Sequence, residues 1–379
     1  MKGNKIFNPT IKCMANISII TNSHQPDDSR VYHKIALSLT KSHFVQIIYS
    51  HKNIKQSTEN VVYTNINTSS KASFLKKSLK HIVDFNTDLI ICVEPFTLVI
   101  GNIAQKHYKI PFIYDCHEFF AEAFEDRFKY GKLFLKALYS FLERSLYKKA
   151  KGVITVNNIL VEQMKKYNKN TICCANYPLL DEIESNIREK EYDLIYIGGI
   201  SENRGLTQML KIVKEAKEKN RPLTLIIIGT FLKGNSREEV DKVIEKYNIS
   251  NQITIINHIP SNEIPSFIQK SRIGLSLLDP NTKRYQNALP LKLLEYMKEG
   301  VPVIANNFPI VRNVVDSYKS GICIEYSVNE GLDAINKLLN NSELYNTYAQ
   351  NAKQAIKHDL NWQAEEAKLL AFIDKAINE

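Results

Sequence analysis

The sequence has no apolar run approaching the roughly 18–20 residues that cross a bilayer. Its first residues include lysines but no apolar core ending in small residues, so we expect no secretory signal. The six cysteines show no Cys-x-x-Cys spacing, which favours reduced, mostly buried thiols in a cytoplasmic protein over disulfides or a metal site. Zinc fingers, RNP motifs and stripes of arginine with aromatics are also missing, which argues against a nucleic-acid partner.

What the chain does have fits two globular domains. Its 379 residues are 44% hydrophobic and 24% charged, enough to fill a core in each domain and inconsistent with wholesale disorder. The net charge of +10 is compatible with nucleic acid, an anionic membrane surface or phosphate-bearing ligands. Because nucleic-acid motifs are missing, the last two are favoured.

Short apolar runs alternate with longer amphipathic ones. Strands are predicted at 17–20, 45–49, 89–93, 112–114 and 153–156, and again at 194–197, 223–228, 253–256, 273–277, 303–305 and 322–324. Helical periods separate them, among them 31–40, 206–217, 238–247 and 362–377. This alternation argues for parallel sheets with helices on both faces.

We therefore predict an α/β fold of two tandem doubly wound, Rossmann-like domains that face a central cleft. The first domain spans 1–180, a polar linker 181–192, the second domain 193–360, and a last helix 361–379. In open parallel sheets ligands bind beyond the carboxyl ends of the strands, so the cleft is the expected site.

A glycine-rich turn follows the first strand of the second domain. Gly198 and Gly199 let the backbone approach a ligand closely, and a helix starting near Gly205 directs free N–H groups toward it. Arg204 can pair with phosphate oxygens in fork geometry. Neither G-x-G-x-x-G nor G-x-x-x-x-G-K-[ST] is present, and taken alone the segment is better interpreted as a tight turn with a surface arginine.

Residues 288–305 form a second candidate element. Pro290 suits the first turn of a helix that ends near Gly300. Lys292 in that turn can reach a phosphate, and Glu295, three residues on, faces roughly the same way and can accept two neighbouring hydroxyls. Spacing alone does not separate this from an ordinary amphipathic helix.

Polar residues also follow strands of the first domain. Asp115, His117 and Glu118 come at the end of the strand at 112–114, where a cleft is expected. Asp28 and Arg30 lie in the loop after the first strand, where they either pair with each other or line the acceptor side.

These residues resemble the family 4 glycosyltransferases of the GT-B fold, over nearly the whole chain. The resemblance is carried by residues 24–34, by Tyr114-Asp115-Cys116-His117-Glu118, by Gly198-Gly199 with Arg204-Gly205, and most by Pro290-x-Lys292-x-x-Glu295 followed by residues 300–305. It implies a nucleotide-diphosphate-sugar donor on the second domain, an acceptor on the first, and transfer with retention. It also implies no cofactor or metal, and a C-terminal helix around Trp362 that returns to the first domain.

The resemblance also assigns roles. Arg204 and Lys292 would hold the diphosphate, Glu295 the ribose, and His117 the donor sugar near the reacting carbon. The donor set is completed by Gly198, Gly199, Asn287, Ala288, Leu289 and Pro290, and the acceptor side by Asp28, Arg30, Asp115 and Glu118. Two positions depart from the commoner pattern: Gly199 stands where many members have Arg, and Asn287 where many have Glu.

We predict a retaining glycosyltransferase that acts on a glycan or lipid-linked acceptor in surface polysaccharide or glycoconjugate synthesis. The alternatives are a GT-B relative such as a nucleotide-sugar epimerase, or a non-catalytic nucleotide-sugar-binding subunit. An epimerase should carry additional acid and base side chains, which the sequence does not reveal. Only the departures at Gly199 and Asn287 favour the subunit.

Two segments, 71–83 and 127–151, are basic and amphipathic. Such helices can lie on anionic lipid, which would place the protein peripherally on the inner face of the cell membrane. The other interpretation is a core-facing apolar stripe with lysines toward solvent.

Overall fold

The computed structural model describes residues 14–118, 120, 132–180 and 189–379, with the backbone alone for 132, 133 and 284. The chain divides into two compact units: unit 1 runs to Asn176 and includes Glu365–Glu379, and unit 2 is Tyr177–Ala364. Of the predicted linker, 181–192, residues 181–188 lie outside the described part.

Unit 1 contains a seven-stranded parallel sheet of order β3-β2-β1-β4-β5-β6-β7. Its strands are β1 Asn16–Ile20, β2 Phe44–Tyr49, β3 Val61–Asn65, β4 Leu89–Cys92, β5 Phe112–Cys116, β6 Gly152–Thr155 and β7 Thr171–Cys173. The central strands are isoleucine- and valine-rich because both their faces are covered by helices. The order reverses between β1 and β4, where such sheets bind ligands.

Helices connect these strands. A π-helix, Ser29–Ala36, continues into α1 Leu37–Leu39; the others are α2 Lys71–Asp84, α3 Thr97–Tyr108, α4 Lys132–Tyr147 and α5 Asn158–Lys165. The predicted helix at 31–40 is therefore largely a π-helix, a form that hydrophobic periodicity does not distinguish.

Unit 2 repeats the scheme with six parallel strands in the order β10-β9-β8-β11-β12-β13. They are β8 Tyr192–Ile197, β9 Leu225–Ile228, β10 Ile253–Ile256, β11 Ser271–Ser276, β12 Val303–Asn306 and β13 Gly321–Ile324. Its helices are α6 Leu206–Glu218, α7 Arg237–Lys246, α8 Ile264–Gln269, α9 Lys283–Gln286, α10 Leu291–Lys298, α11 Pro309–Tyr318, α12 Val328–Leu339 and α13 Ser342–His358, with 3₁₀ turns at Glu202–Arg204 and Ser250–Gln252. Here the order reverses between β8 and β11.

The last helix, α14 Trp362–Asn378, belongs to unit 1 from Glu365 onward. There it buries Leu369 and Ile373 and sets Asp374 3.2 Å from His43. Gly152 in β6 leaves room for Phe372, since a Cβ at that glycine would lie 2.3 Å from the ring. These contacts explain why an apolar helix stripe follows the second sheet in the sequence.

The fold class is confirmed: both described sheets are parallel and doubly wound. Two strands, β3 and β7, were not predicted. Within the described residues, no helix is both long enough and apolar enough to span a membrane.

Candidate donor and acceptor sites

Glycines let the turn after β8 pack closely against the backbone that follows β9 and β11. Gly205 has φ +85°, and a Cβ there would lie 1.7 Å from the Leu277 carbonyl oxygen after β11. A Cβ on Gly229, after β9, would lie 1.8 Å from the Gly198 carbonyl oxygen. Only glycine permits such close backbone packing, so residues 198–205, called here the glycine turn, have a fixed shape.

Two cationic side chains reach the same point beside this turn. A Cβ on Gly198 would lie 3.7 Å from Lys292 Nζ and 3.8 Å from Arg204 Nη1. Lys292 is only 7% exposed. Within the described residues, neither Lys292 Nζ nor the buried Arg204 Nε has a hydrogen-bond partner. Buried unsatisfied cations are costly unless an anion completes them, so this arrangement is suited to a phosphate group.

Burial is the main influence on the charge of Lys292. Burial and the neighbouring charge of Arg204 hold the pKa of Lys292 well below its usual range, and Glu295 offsets this only in part. The amine lies 3.7 Å above the centre of the Tyr196 ring. The site is thus short of negative charge when no ligand is bound.

Helix α10 positions Lys292 through its apolar face. Leu293 and Met297 are fully buried in the unit 2 core, which fixes the helix and with it the lysine in its first turn. Pro290 is the N-cap, with φ −68° and ψ 127°, and not a first-turn residue as predicted. Gly300 with φ +69° follows the end of the helix.

The rest of the predicted donor set surrounds this helix. Glu295 is half-buried one turn after Lys292, and the four residues before the helix are half-buried as well: Asn287, Ala288, Leu289 and Pro290. At Gly199 an added Cβ would press against Leu232 at 3.0 Å. Leu232 therefore restricts the space for an arginine side chain at that position.

In unit 1, Arg30 and Asp115 form a buried ion pair. Arg30 Nε donates to Asp115 Oδ2 at 2.9 Å, Nη2 to Oδ1 at 2.6 Å, and Nη1 to the Cys174 carbonyl at 3.2 Å. The interpretation that Arg30 pairs with Asp28 is wrong, because its guanidinium turns to Asp115. Burial alone would raise the pKa of Asp115, but Arg30 holds it below its usual range.

Asp28 caps the π-helix. Its carboxylate accepts from the amides of Arg30 at 2.8 Å and Val31 at 2.9 Å, and lies 3.0 Å from His24 Nδ1. Burial opposes ionisation of Asp28, but the hydrogen bond with His24 and the amide bonds outweigh it and lower the pKa of Asp28 to about 2. Asp28 therefore fixes the loop after β1.

Glu94 holds the same loop from the end of β4. It accepts from the Thr21 hydroxyl, from the Ser23 hydroxyl at 2.7 Å and from the Asn22 amide at 3.2 Å. Its Oε1 also lies 3.6 Å from His24 Nε2. Since β1 and β4 flank the reversal of strand order, this buried carboxylate organises the expected ligand-binding edge.

His117 stands beside this cluster with its side chain 10% exposed. Its Nδ1 lies 3.6 Å from Asp115 Oδ2, and its ring meets the edge of His24 at 4.9 Å between centroids. Within the described part of the chain, neither ring nitrogen has a hydrogen-bond partner. Glu118 is exposed. The imidazole is therefore able to hydrogen-bond a ligand.

Comparisons with protein-family models agree with the division of the chain into two units. Residues 29–173 match the model described as Glycosyltransferase Family 4, and residues 180–355 match that of Glycosyl transferases group 1. The chain belongs to glycosyltransferase family 4. Each match falls mainly within one of the two units.

Curated relatives of this glycosyltransferase are distant. It is 22% identical over 237 residues to an uncharacterized 41.2 kDa protein in the cps region of Klebsiella pneumoniae, covering 59% of each chain. It is 24% identical over 212 residues to an uncharacterized glycosyltransferase of Methanocaldococcus jannaschii, covering 52% of this chain and 51% of that one. The matches thus span between half and two thirds of these relatives.

Solved structures share the fold along the whole chain. Sucrose-phosphate synthase from Thermosynechococcus elongatus aligns with TM-score 0.75 at 12% identity, covering 96% of this chain and 99% of that one. HepE from Anabaena, in complex with UDP and glucose, aligns with TM-score 0.70 at 15% identity, covering 95% and 100%. At these identities the likeness shows the GT-B type of fold.

Sequence reasoning missed two residues of this glycosyltransferase that organise the sites. Glu94 comes directly after the predicted strand at 89–93, so the strand-end rule that selected Asp115 and His117 would have selected it too. Tyr196 lies inside β8, and its hydroxyl donates to the Gly199 carbonyl at 2.6 Å. No local signal distinguishes Tyr196 from other buried strand residues.

His24 is expected to make stability depend on pH. Burial would lower the pKa of His24, but Asp28, Glu94 and Glu118 outweigh it and raise that pKa. A group whose pKa is raised in the folded state contributes its full stabilisation at pH values below its unfolded-state pKa. That contribution is lost as the pH rises through the folded-state pKa. We expect His24→Gln to cost about 1 kcal/mol more at about pH 5.5 than at about pH 9, measured by urea denaturation.

Asp28→Asn is the matched variant, because asparagine keeps the helix cap but carries no charge to pair with His24. In that background the cost of His24→Gln should become nearly independent of pH. An unchanged pH dependence would assign the effect to Glu94 instead.

Proposed function

We propose that this protein transfers a sugar from a nucleotide-diphosphate-sugar to a hydroxyl of a glycan or lipid-linked acceptor, with retention of anomeric configuration. The observation that carries the proposal is the pair of basic side chains beside the glycine turn, the buried Lys292 and the half-buried Arg204. Among the described residues, Lys292 Nζ and Arg204 Nε have no hydrogen-bond partner, and a diphosphate supplies an anion of the right charge and size.

The donor site follows from the geometry of unit 2. Lys292 and Arg204 bind the diphosphate, the glycine turn gives it close access to backbone amides, and Glu295 accepts the ribose hydroxyls. Side-chain cations and the start of α6 offset the phosphate charge, so we propose that no metal ion is required. The presence of UDP and glucose in the HepE complex supports a nucleotide sugar as donor.

Acceptor binding is assigned to the polar edge of unit 1. His117 has ring nitrogens ready for a ligand and is proposed to contact the donor sugar near the reacting carbon. The ion pair of Arg30 and Asp115 lies beside His117, with Asp115 Oδ2 3.6 Å from its Nδ1. Asp28 fixes the neighbouring loop, and Glu118 is exposed and able to meet an acceptor.

In the retaining reaction the acceptor hydroxyl attacks from the face that the diphosphate leaves, and the departing phosphate takes the proton of that hydroxyl. Positioning and charge stabilisation then provide most of the rate.

The pathway context is a surface glycan. The glycosyltransferase WaaG, which takes part in lipopolysaccharide biosynthesis, aligns with TM-score 0.69 at 14% identity over 94% of this chain and 99% of that one. This relationship supports a polysaccharide or glycoconjugate product.

The test is a panel of nucleotide sugars screened by thermal shift, followed by NMR of the transfer product. A stabilising donor and an anomeric configuration equal to that of the donor are expected, with activity unchanged by EDTA. Formation of an epimerised nucleotide sugar in the absence of acceptor would favour the epimerase. Binding of a nucleotide sugar without turnover on any of many acceptors would favour the non-catalytic subunit. Inverted product would refute retention alone.

Membrane contact is proposed for one of the two basic segments. Helix α2 buries Phe74 and Ile82 and exposes its lysines, which fits the core-facing interpretation. On α4, by contrast, four large apolar side chains are exposed by 45–72% on one face: Phe134, Leu138, Phe141 and Leu142. Lys148 and Lys149 are exposed just beyond the helix, and residues 127–131 lie outside the described part. An apolar face beside cations suits anionic lipid.

The double change Phe134→Ser with Phe141→Ser should weaken partitioning onto phosphatidylglycerol vesicles at least about 100-fold, because each phenylalanine buried in lipid contributes about 2 kcal/mol. Vesicle flotation at low salt measures this. The control, Lys76→Ser with Lys80→Ser on the exposed side of α2, should retain most of the binding. Dimerisation through α4 without vesicles would show that a second copy covers this face.

A further inference from the structure

Lys292 and Tyr196 form a buried contact that the donor assignment leaves unexplained. The amine lies 3.7 Å above the ring centre, and Tyr196 is 1% exposed. Within the described residues Lys292 Nζ has no hydrogen-bond acceptor. An aromatic face stabilises an ammonium ion less well than a carboxylate or water does, so the charged form of this lysine is poorly supported.

The charged and titratable groups around the amine come from four elements. Arg204, after β8, opposes its charge, and Tyr196 faces it from β8. Glu295, on α10 itself, favours its charge, and Tyr285 on α9 interacts with Tyr196. Glu295 is the one carboxylate in this set, and it is half-buried. The balance of burial and Arg204 against Glu295 disfavours the ammonium form.

A bound diphosphate reverses that balance. Any anion near Gly198 lies close to Lys292 Nζ and to Arg204 Nη1, since both atoms are within 3.8 Å of the point where a Cβ would stand. The charge of the anion favours the ammonium form and offsets the repulsion from Arg204. Binding and protonation are then coupled by linkage.

Tyr196 holds the amine ready for this change. Its hydroxyl donates to the Gly199 carbonyl at 2.6 Å, which fixes the ring and the glycine turn together. The same side chain thus sets the position of the turn and of the lysine amine. Tyr196 acts through these groups and is a positioning residue.

We propose that Lys292 takes up a proton from solvent when the diphosphate of the donor binds beside Gly198, and that Tyr196 holds the amine in position beforehand. The inference rests on the proposed donor function. The step converts an amine and one proton into an ammonium ion, and no other bond changes. Between the pKa values of free and bound states, donor affinity should fall up to tenfold per pH unit as pH rises.

The experiment is titration calorimetry of the full chain with UDP-glucose and GDP-mannose, in buffers of different ionisation enthalpy, from about pH 6 to about pH 9. Nucleotide sugars are chosen because their diphosphate has no proton to lose in this range. The expected result is a buffer-dependent heat that corresponds to uptake of up to one proton. Lys292→Arg keeps a cation that does not deprotonate, so it should bind without uptake.

Tyr196 has its own pair of variants. Tyr196→Leu removes the ring that supports the ammonium, so the pH of half-maximal uptake should shift downward. Tyr196→Phe keeps the ring and loses the bond to Gly199, so that pH should stay close to the parent value. A merely structural role would lower stability in both without moving the uptake profile.

Three outcomes decide the matter. Donor binding with heat independent of the buffer overturns proton uptake and leaves the proposed function intact. No binding of any nucleotide sugar overturns both. Proton uptake that persists in Lys292→Arg overturns the assignment of that proton to Lys292. Should this variant fail to fold, Lys292→Met provides the same test, because its affinity for the nucleotide sugar should not vary with pH.

Discussion

Lys292→Ala and Arg204→Ala are each expected to lower turnover by about 10²–10³-fold, the effect of removing one donor to a charge that develops in the transition state. The two side chains converge beside Gly198, so in the proposed donor site they act on the same phosphate. The double variant should therefore lose much less than the product of the two single losses. Because Lys292 is a buried basic side chain whose amine has no hydrogen-bond partner among the described residues, its removal should leave the melting temperature equal or higher.

Kinetics with the donor found by screening, together with melting curves, measure both effects. Lys211→Ala and Arg221→Ala are matched controls, since both side chains are exposed in unit 2 and neither belongs to the glycine turn. Both controls should keep turnover within about twofold. Near-normal turnover in Lys292→Ala and Arg204→Ala would contradict the donor assignment.

The fold was predictable where strands are buried on both faces. Runs such as β4 and β9 are continuous, apolar and fully buried, and their predicted and observed positions agree closely. The missed strands, β3 and β7, are the two edges of the unit 1 sheet and bury one residue each, Val61 and Thr171. An edge strand needs no long apolar run, so periodicity does not reveal it.

The candidate sites were predictable as far as strand ends determine them. Gly198, Arg204 and Lys292 follow or precede predicted strands, and they do meet. Partner choice was not predictable, because it depends on distant residues: Arg30 pairs with Asp115 across 85 positions. By local sequence Asp28 is an equally good partner for Arg30, but in the fold the guanidinium pairs with Asp115 at the end of β5.

The buried pair of Arg30 and Asp115 leads to the largest expected loss of stability. Arg30 is 3% exposed and Asp115 is fully buried. Arg30→Met should cost about 3–5 kcal/mol, because it leaves an uncompensated carboxylate in the interior. Hydrogen exchange followed by mass spectrometry should show faster exchange in β1, β5 and the π-helix Ser29–Ala36, all in unit 1.

The surface pair Lys41–Glu366, also in unit 1, is the control for this prediction. Lys41 is 59% exposed, so Lys41→Met should cost under about 1 kcal/mol. Combining Arg30→Met with Asp115→Leu removes both charges and should recover most of the lost stability, as expected when the penalty is an unpaired charge and not lost packing. A double variant as unstable as Arg30→Met alone would show that hydrogen bonds such as that from Arg30 to the Cys174 carbonyl, rather than charge pairing, hold this edge of the sheet together.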